Sequence, residues 1–343
     1  MKLILLGTII TLVFLSVGGR VDPIYAQEDK GELRLTTSPP VVKLSTAPGK
    51  SISTDLTVRN GGSKNEVLKI GLLKFSAQGD SGKPKIMERA SGDDYFDWVS
   101  FTPSAFEAPP GQWVSVKMTI TVPKTAAFGY YYAVTFSRAK DVQPALHQAT
   151  LVGAPAILVL LEAESPGAIR EIHIDSFEPR QEWQEFLPAD FQVVLANKGN
   201  VHVAPHGNIF ILQGGKELGR LDINTPGGNI LPTSIREFDA SWNDGYPRVT
   251  PKERGGKVVL DSQGHPEMSF DWDLSRLPKL RFGHYEAHLV LAYDNGSREV
   301  SLDSTTGFWV IPWRIFGGIA LIALFIGIGI FASIRGTVRK MRN

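Results

Sequence analysis

Trp113-Val114-Ser115-Val116-Lys117-Met118-Thr119-Ile120-Thr121-Val122 alternates polar and apolar residues almost without a break. A side-chain period of two places Val114, Val116, Met118, Ile120 and Val122 on one face of an extended chain. One face greasy and one wet describes a half-buried antiparallel strand. The same alternation runs through Ser51–Arg59, with Ile52, Leu56 and Val58 on one face, and through Asp190–Leu195 and Glu286–Leu291. Turn signals separate these runs at Asn60-Gly61-Gly62, Pro109-Pro110-Gly111, Asn197-Lys198-Gly199-Asn200, Gln213-Gly214-Gly215 and Asn295-Gly296. No amphipathic helix of ordinary length interrupts residues 30 to 310. Short strands at this spacing predict an all-β region of Ig-like β-sandwiches.

A weak repeat divides the region in two. The first unit has a strand ending at Asn60, a Pro-Gly turn at 110–111 and Gly129-Tyr130-Tyr131-Tyr132-Ala133. The second has a strand ending at Asn197, a turn at Leu231-Pro232-Thr233-Ser234 and Gly283-His284-Tyr285-Glu286-Ala287. The shared Gly-x-Tyr-x-Ala predicts a corner tyrosine whose hydroxyl bonds nearby backbone. The sandwiches are expected over 33–163 and 168–309, joined at Ala163-Glu164-Ser165-Pro166-Gly167. Ala154–Leu161 is nearly continuously apolar and is expected to be buried. Residues 243–282 form an insertion in the second sandwich, with a hairpin predicted from Val258 to Phe270 around Asp261-Ser262-Gln263-Gly264.

The ends of the chain set its location. Ile315–Ile334 is a run of about 20 residues without charge, long enough at ~1.5 Å per residue to cross a ~30 Å hydrocarbon core. Trp309 and Trp313 precede it at the level of an aromatic belt, and Arg335, Arg339, Lys340 and Arg342 follow it. A transmembrane helix over 313–334 with a basic cytoplasmic tail at 335–343 makes this a single-pass type I protein of the cell membrane. At the other end, Lys2, an apolar stretch from Leu3 to Val17 and Ala26 predict a signal peptide over 1–26, cleaved after Ala26. An uncleaved anchor helix is the alternative, and either exports the middle of the chain.

Composition narrows the function. Lysine and arginine total 36 against 35 acidic residues, so no strong field addresses nucleic acid. Cysteine is absent, so the exported sandwiches rely on packed cores and no thiol serves as nucleophile or ligand. There is no Gly-x-Ser-x-Gly, no His-Glu-x-x-His and no Gly-rich phosphate loop. His202/His206 and His284/His288 are each four residues apart. His284 and His288 fall on a predicted strand, where four residues span about 13 Å, too far to share one ion; Pro205 bends the other pair, but no acidic or thiol partner lies at ligand spacing. Asp93, Asp94 and Asp97 lack the spacing of a calcium loop. Glu182, Glu185 and Asp190 flank Trp183 and Phe186 in a loosely sugar-facing pattern, and Trp98, Trp183, Trp242 and Trp272 offer aromatic faces. Core packing and surface charge account for these more simply. No catalytic, cofactor-binding or metal-binding residue is assigned.

Several short segments carry a family resemblance: Pro39-Pro40-Val41-Val42-Lys43-Leu44, Ala47-Pro48-Gly49, Val58-Arg59-Asn60, Trp98-Val99-Ser100-Phe101-Thr102-Pro103, Pro110-Gly111, Val122-Pro123, Asn197 and Leu231-Pro232-Thr233-Ser234. Their order, with the export signal and terminal helix, resembles the WxL-interacting proteins of Gram-positive cell surfaces. The 231–234 segment is similar to that family's Ala-Pro-Asn-Ser, differing at two of four positions. The resemblance implies one domain associated with peptidoglycan and one with a surface or cell-wall protein partner. The first sandwich also looks like that of pilus-assembly chaperones.

The expected function is therefore a membrane-anchored extracellular binding or scaffold protein of the bacterial envelope, without cofactor and not an enzyme. Two alternatives stand. An envelope glycan-acting enzyme would show two acidic side chains ~5–10 Å apart in a cleft. An accessory subunit of a membrane transport or sensing complex would use Gly317, Gly318, Gly327 and Gly329 for close helix approach.

Overall fold

The computed structural model describes residues 33–140 and 156–342; the signal peptide and its cleavage site after Ala26 lie outside the described residues. The first sandwich runs β1 (Leu35–Ser38), β2 (Val41–Thr46), β3 (Ser51–Asn60), β4 (Glu66–Ala77), β5 (Pro84–Met87), β6 (Val99–Thr102), β7 (Ala105–Ala108), β8 (Trp113–Thr121), β9 (Phe128–Arg138) and β10 (Ala156–Ala163). The second runs β11 (Ile172–Pro179), β12 (Trp183–Gln184), β13 (Ala189–Asn197), β14 (His206–Gln213), β15 (Lys216–Ile223), β16 (Ile235–Trp242), β17 (Arg248–Pro251), β18 (Glu253–Arg254), β19 (Lys257–Val258), β20 (Met268–Asp271), β21 (Gly283–Asp294) and β22 (Glu299–Val310). Helix α1 spans Trp313–Arg342. The protein is thus all-β with two tandem Ig-like sandwiches and one terminal apolar helix.

The two sandwiches share one wiring. In the first, β1-β3-β8-β6 faces β2-β10-β9-β4-β5, with β7 also on β4. In the second, β11-β13-β16 faces β12-β22-β21-β14-β15. In each, the opening segment divides: its first part pairs antiparallel with the next long strand, and its second part pairs parallel with the last strand of the unit. Alternation drives this packing. Val116, Met118 and Ile120 of β8 are fully buried against Leu56 and Val58 of β3, while Ser115 and Lys117 face water. Phe191, Val193 and Leu195 of β13 meet Leu289 and Leu291 of β21 in the second core.

A buried asparagine closes each sandwich. Asn60 Nδ2 donates to Lys64 O (2.8 Å) and Ala108 O (2.8 Å), and its Oδ1 accepts from Gly62 N (2.9 Å). Asn197 Nδ2 donates to Val201 O (2.8 Å) and Ile230 O (2.9 Å), and its Oδ1 accepts from Gly199 N (2.9 Å). The turns match as well: Gly111 N donates to Asn60 O and Thr233 N to Asn197 O. Gly111 and Thr233 both take left-handed backbone, at φ 72° and 57°. That conformation costs a β-branched residue about 1–2 kcal/mol, and asparagine tolerates it. Thr233→Asn is expected to raise stability by about 1 kcal/mol, read as a higher thermal unfolding midpoint.

The corner tyrosines depart from the sequence reading by one residue. Tyr285 Oη donates to Phe282 O (3.4 Å), as expected. In the first sandwich the equivalent contact is made by Tyr130, whose Oη accepts from Ala127 N (3.1 Å). The residues two before these tyrosines, Phe128 and Gly283, share positive φ (67° and 102°). The matching letters Gly129 and Gly283 therefore do not correspond. Tyr131 points out of its own core, toward the second sandwich.

The 243–282 insertion also folds differently from its prediction. Only the inner part of the expected hairpin pairs, through a Leu260–Pro266 bridge and Asp261 N to His265 O (2.7 Å). Met268–Asp271 pairs instead with Arg248–Pro251, and Glu253–Arg254 with Lys257–Val258 around Gly255 and Gly256. Asp244 clamps the base of the insertion, with Arg281 at 3.0 Å and Lys279 also bound.

Candidate functional site: the cleft between the sandwiches

Strand β10 is apolar on both faces because it has two jobs. Ile157, Val159 and Leu161 fill the first core. Leu158 and Leu160 face outward with Phe75 and Ala133, where Leu231 of the second sandwich packs on them. Further bonds join the units. Glu237 N donates to Asp80 O (2.7 Å), Lys43 Nζ to Gly227 O (3.3 Å), and Arg170 pairs with the buried Glu162.

Beside this seam lies a cleft of about 500 Å³, walled by Val41, Lys43 and Phe75 on one side and by 226–236 on the other. Its floor is apolar: Phe75, Leu158, Leu160 and Ile230. Lys43, Lys83 and Arg236 supply three cations, and among the described residues no carboxylate lines it. The Arg236 guanidinium is half-buried, stacks over the Phe238 ring at 5.1 Å and donates to Asn229 O (3.0 Å). It passes between the Gly82 and Gly228 backbones, where a Cβ on either would collide with it. Burial lowers its pKa from the usual arginine value. A desolvated cation without a carboxylate raises the local affinity for anions.

One wall is also a strand edge. β2 pairs with β10 on one side and ends its sheet on the other. Edge strands present unpaired N–H and C=O groups to any extended chain laid beside them.

The residues weighed from sequence fall elsewhere. His202 is half-buried in the seam, with its ring 5.8 Å from that of Tyr131, while His206 lies on β14, 3.3 Å from Glu299. His284 packs on Trp309 and His288 faces Asp303. Asp93 is held by Lys74 (2.7 Å) and Asp97 by Arg89 (2.6 and 2.8 Å), so both acids are spent on local cations. No cluster of potential metal ligands occurs among the described residues. Glu185 and Asp190 do share a cavity of about 370 Å³ with Arg180. Glu185 is engaged there by Arg314 at the start of the helix (3.4 Å). Trp98 packs with Tyr95 and Tyr130, and Trp242 is buried between Tyr285 and Phe308. Trp183 and Trp272 remain exposed. The cleft cations escaped sequence reasoning because Lys43 and Arg236 are almost 200 residues apart and nothing in the chain's pattern brings them together.

No protein-family model matches the sequence, and no curated protein matches it. Solved structures with similar architecture include the class 5 fimbriae chaperone CfaA (14% identity, 80% of this chain and 99% of that one, TM-score 0.35). The E. coli chaperone DraB (13%, 81% and 98%, 0.32) and the Pseudomonas aeruginosa CupB2 chaperone (10%, 78% and 98%, 0.31) are others. Likenesses of this size carry nothing about partner or activity. Trp313–Arg335 is long and apolar enough to cross a membrane, and none of it is buried against the protein.

Proposed function

We propose that this protein is a non-catalytic binding protein of the cell envelope that holds an extended, acidic segment of a partner protein in the cleft between its sandwiches. The observation that carries the reading is a cleft with an apolar floor, three cations and no described carboxylate. An extended segment along the open edge of β2 would gain main-chain hydrogen bonds, and alternate side chains would reach the apolar floor. Lys43, Lys83 and Arg236 would select acidic residues beside them. The apolar helix supports a membrane-anchored scaffold, with the sandwiches outside and the basic tail inside. The resemblance to WxL-interacting proteins supports a surface-protein partner on a Gram-positive wall, with peptidoglycan as a second ligand.

The test uses full-length protein in detergent and surface proteins extracted from the producing cell. Lys43→Glu and Lys83→Glu alter exposed side chains, at the loss of the Lys43 Nζ–Gly227 O bond, so the fold is expected to survive, checked by a retained cooperative thermal transition. Together they are expected to weaken partner retention by about tenfold or more. Retention unchanged in the folded double variant would remove the cleft as the site.

A further inference from the structure

The insertion and the membrane helix leave the second sandwich at the same end. Gly283 pairs with Val310, so Phe282 and Ile311 are neighbours across the sheet end. The base of the insertion closes there through the Tyr246–Leu280 bridge. Direct contacts reach the helix: the Phe282 and Phe316 rings are 6.4 Å apart, and Glu185 Oε1 accepts from Arg314 N (3.2 Å). Phe186, next to Glu185, packs edge-on against Phe270 (5.8 Å) and Trp272 (6.1 Å) of the insertion.

This end is unusually greasy for a solvated surface. Leu274 is 72% exposed, Phe282 59%, Trp272 51% and Leu277 51%. On the adjoining edge Trp183 stacks flat on Trp309 at 5.4 Å, with both rings exposed. Trp313, at the first position of the helix, is 59% exposed. Contiguous exposed apolar surface marks an interaction site. Here it meets the apolar surface of α1 through the Phe282–Phe316 contact, and a tryptophan-rich border is the composition of the lipid headgroup level.

We propose that the 243–282 insertion, with Trp183 and Trp309, rests in the headgroup layer of the bilayer that α1 crosses, and so fixes the second sandwich on the membrane surface. The inference rests on reading α1 as membrane-spanning. Residues 243–282 carry seven basic and six acidic side chains, so apolar insertion rather than attraction to anionic lipid holds the contact. Asp244, through Arg281 and Lys279, keeps the foot attached to the sandwich.

The absence of cysteine makes the test clean. Single variants Leu274→Cys, Leu277→Cys, Leu324→Cys (within the helix) and Ser115→Cys (exposed on the first sandwich) are spin-labelled in the full-length chain. Each is placed in phosphatidylcholine nanodiscs. Labels at 274 and 277 are expected to favour oxygen over a water-soluble nickel chelate, as at 324, with the reverse at 115 and no change at high salt. If 324 reads as lipid while 274 and 277 read like 115, or are shielded from both relaxants, the foot is overturned and the span stands. If 324 itself reads as water, the span fails and the foot with it.

Discussion

Replacing Asn197 with alanine is expected to lower the stability of the second sandwich by about 3–5 kcal/mol. The side chain is 1% exposed and makes three bonds to main-chain groups of two loops. Alanine removes the partners of Val201 O, Ile230 O and Gly199 N, and each buried orphan costs about 1–3 kcal/mol. Little water can replace them, because Val201 and Ile230 are themselves buried. Asn60→Ala should cost the first sandwich less, about 1–3 kcal/mol, since only the Ala108 O bond is buried and water can reach Lys64 O and Gly62 N. Urea unfolding of the full-length protein in detergent measures both. The two are not equivalent for function. Asn197 anchors the carbonyl of Ile230, which lines the cleft, so its loss is expected to weaken partner retention as well. A change under 1 kcal/mol would mean that the asparagines do not close the sandwiches.

Those two asparagines also mark what the sequence made readable. Alternation located the long strands, because a sheet with one wet face writes its period into the chain. The turns at 109–112 and 231–234 occupied the same place in both units, and the structure gives them the same hydrogen bonds. The tyrosine pairing failed by one residue because backbone sign is not written in letters: Phe128 takes the positive φ that Gly283 takes in the second unit. Ala154–Leu161 reads as buried, yet only the structure, over its described part from residue 156, shows why, with Leu231 covering the outer face. The cleft was not legible, since a net charge of +1 hides three cations gathered from distant parts of the chain. Histidine spacing assigned His202 no role, whereas the structure makes it a seam residue with an aromatic neighbour.

Acid is expected to loosen the seam through that histidine. Burial, and then the charges of Lys43 and Arg170, push the His202 pKa down to about 4 from 6.5. Its Nδ1 is buried without a hydrogen-bond partner, and the Tyr131 hydroxyl, whose own pKa burial raises, is buried beside it. Glu162, an acid of the seam, is taken up by Arg170. Above pH 6.5 the imidazole is neutral folded or unfolded, and pH has no effect through it. Between 6.5 and 4 the unfolded chain binds a proton that the folded seam refuses. Stability then falls with pH, by about 3 kcal/mol in total, and levels off below 4. His202→Phe keeps an aromatic ring against Tyr131 and removes the titration. The difference in urea midpoint between the native protein and this variant, followed from pH 7 to 4, isolates the histidine from all other acid effects. It should shift steadily against the native protein; a constant difference would exclude His202 as the sensor. The proposed ligand bears on the same measurement. An anionic segment beside Lys43 offsets part of the field that keeps His202 neutral, so partner binding should raise its pKa, make the acid loss of stability smaller and end it at a higher pH.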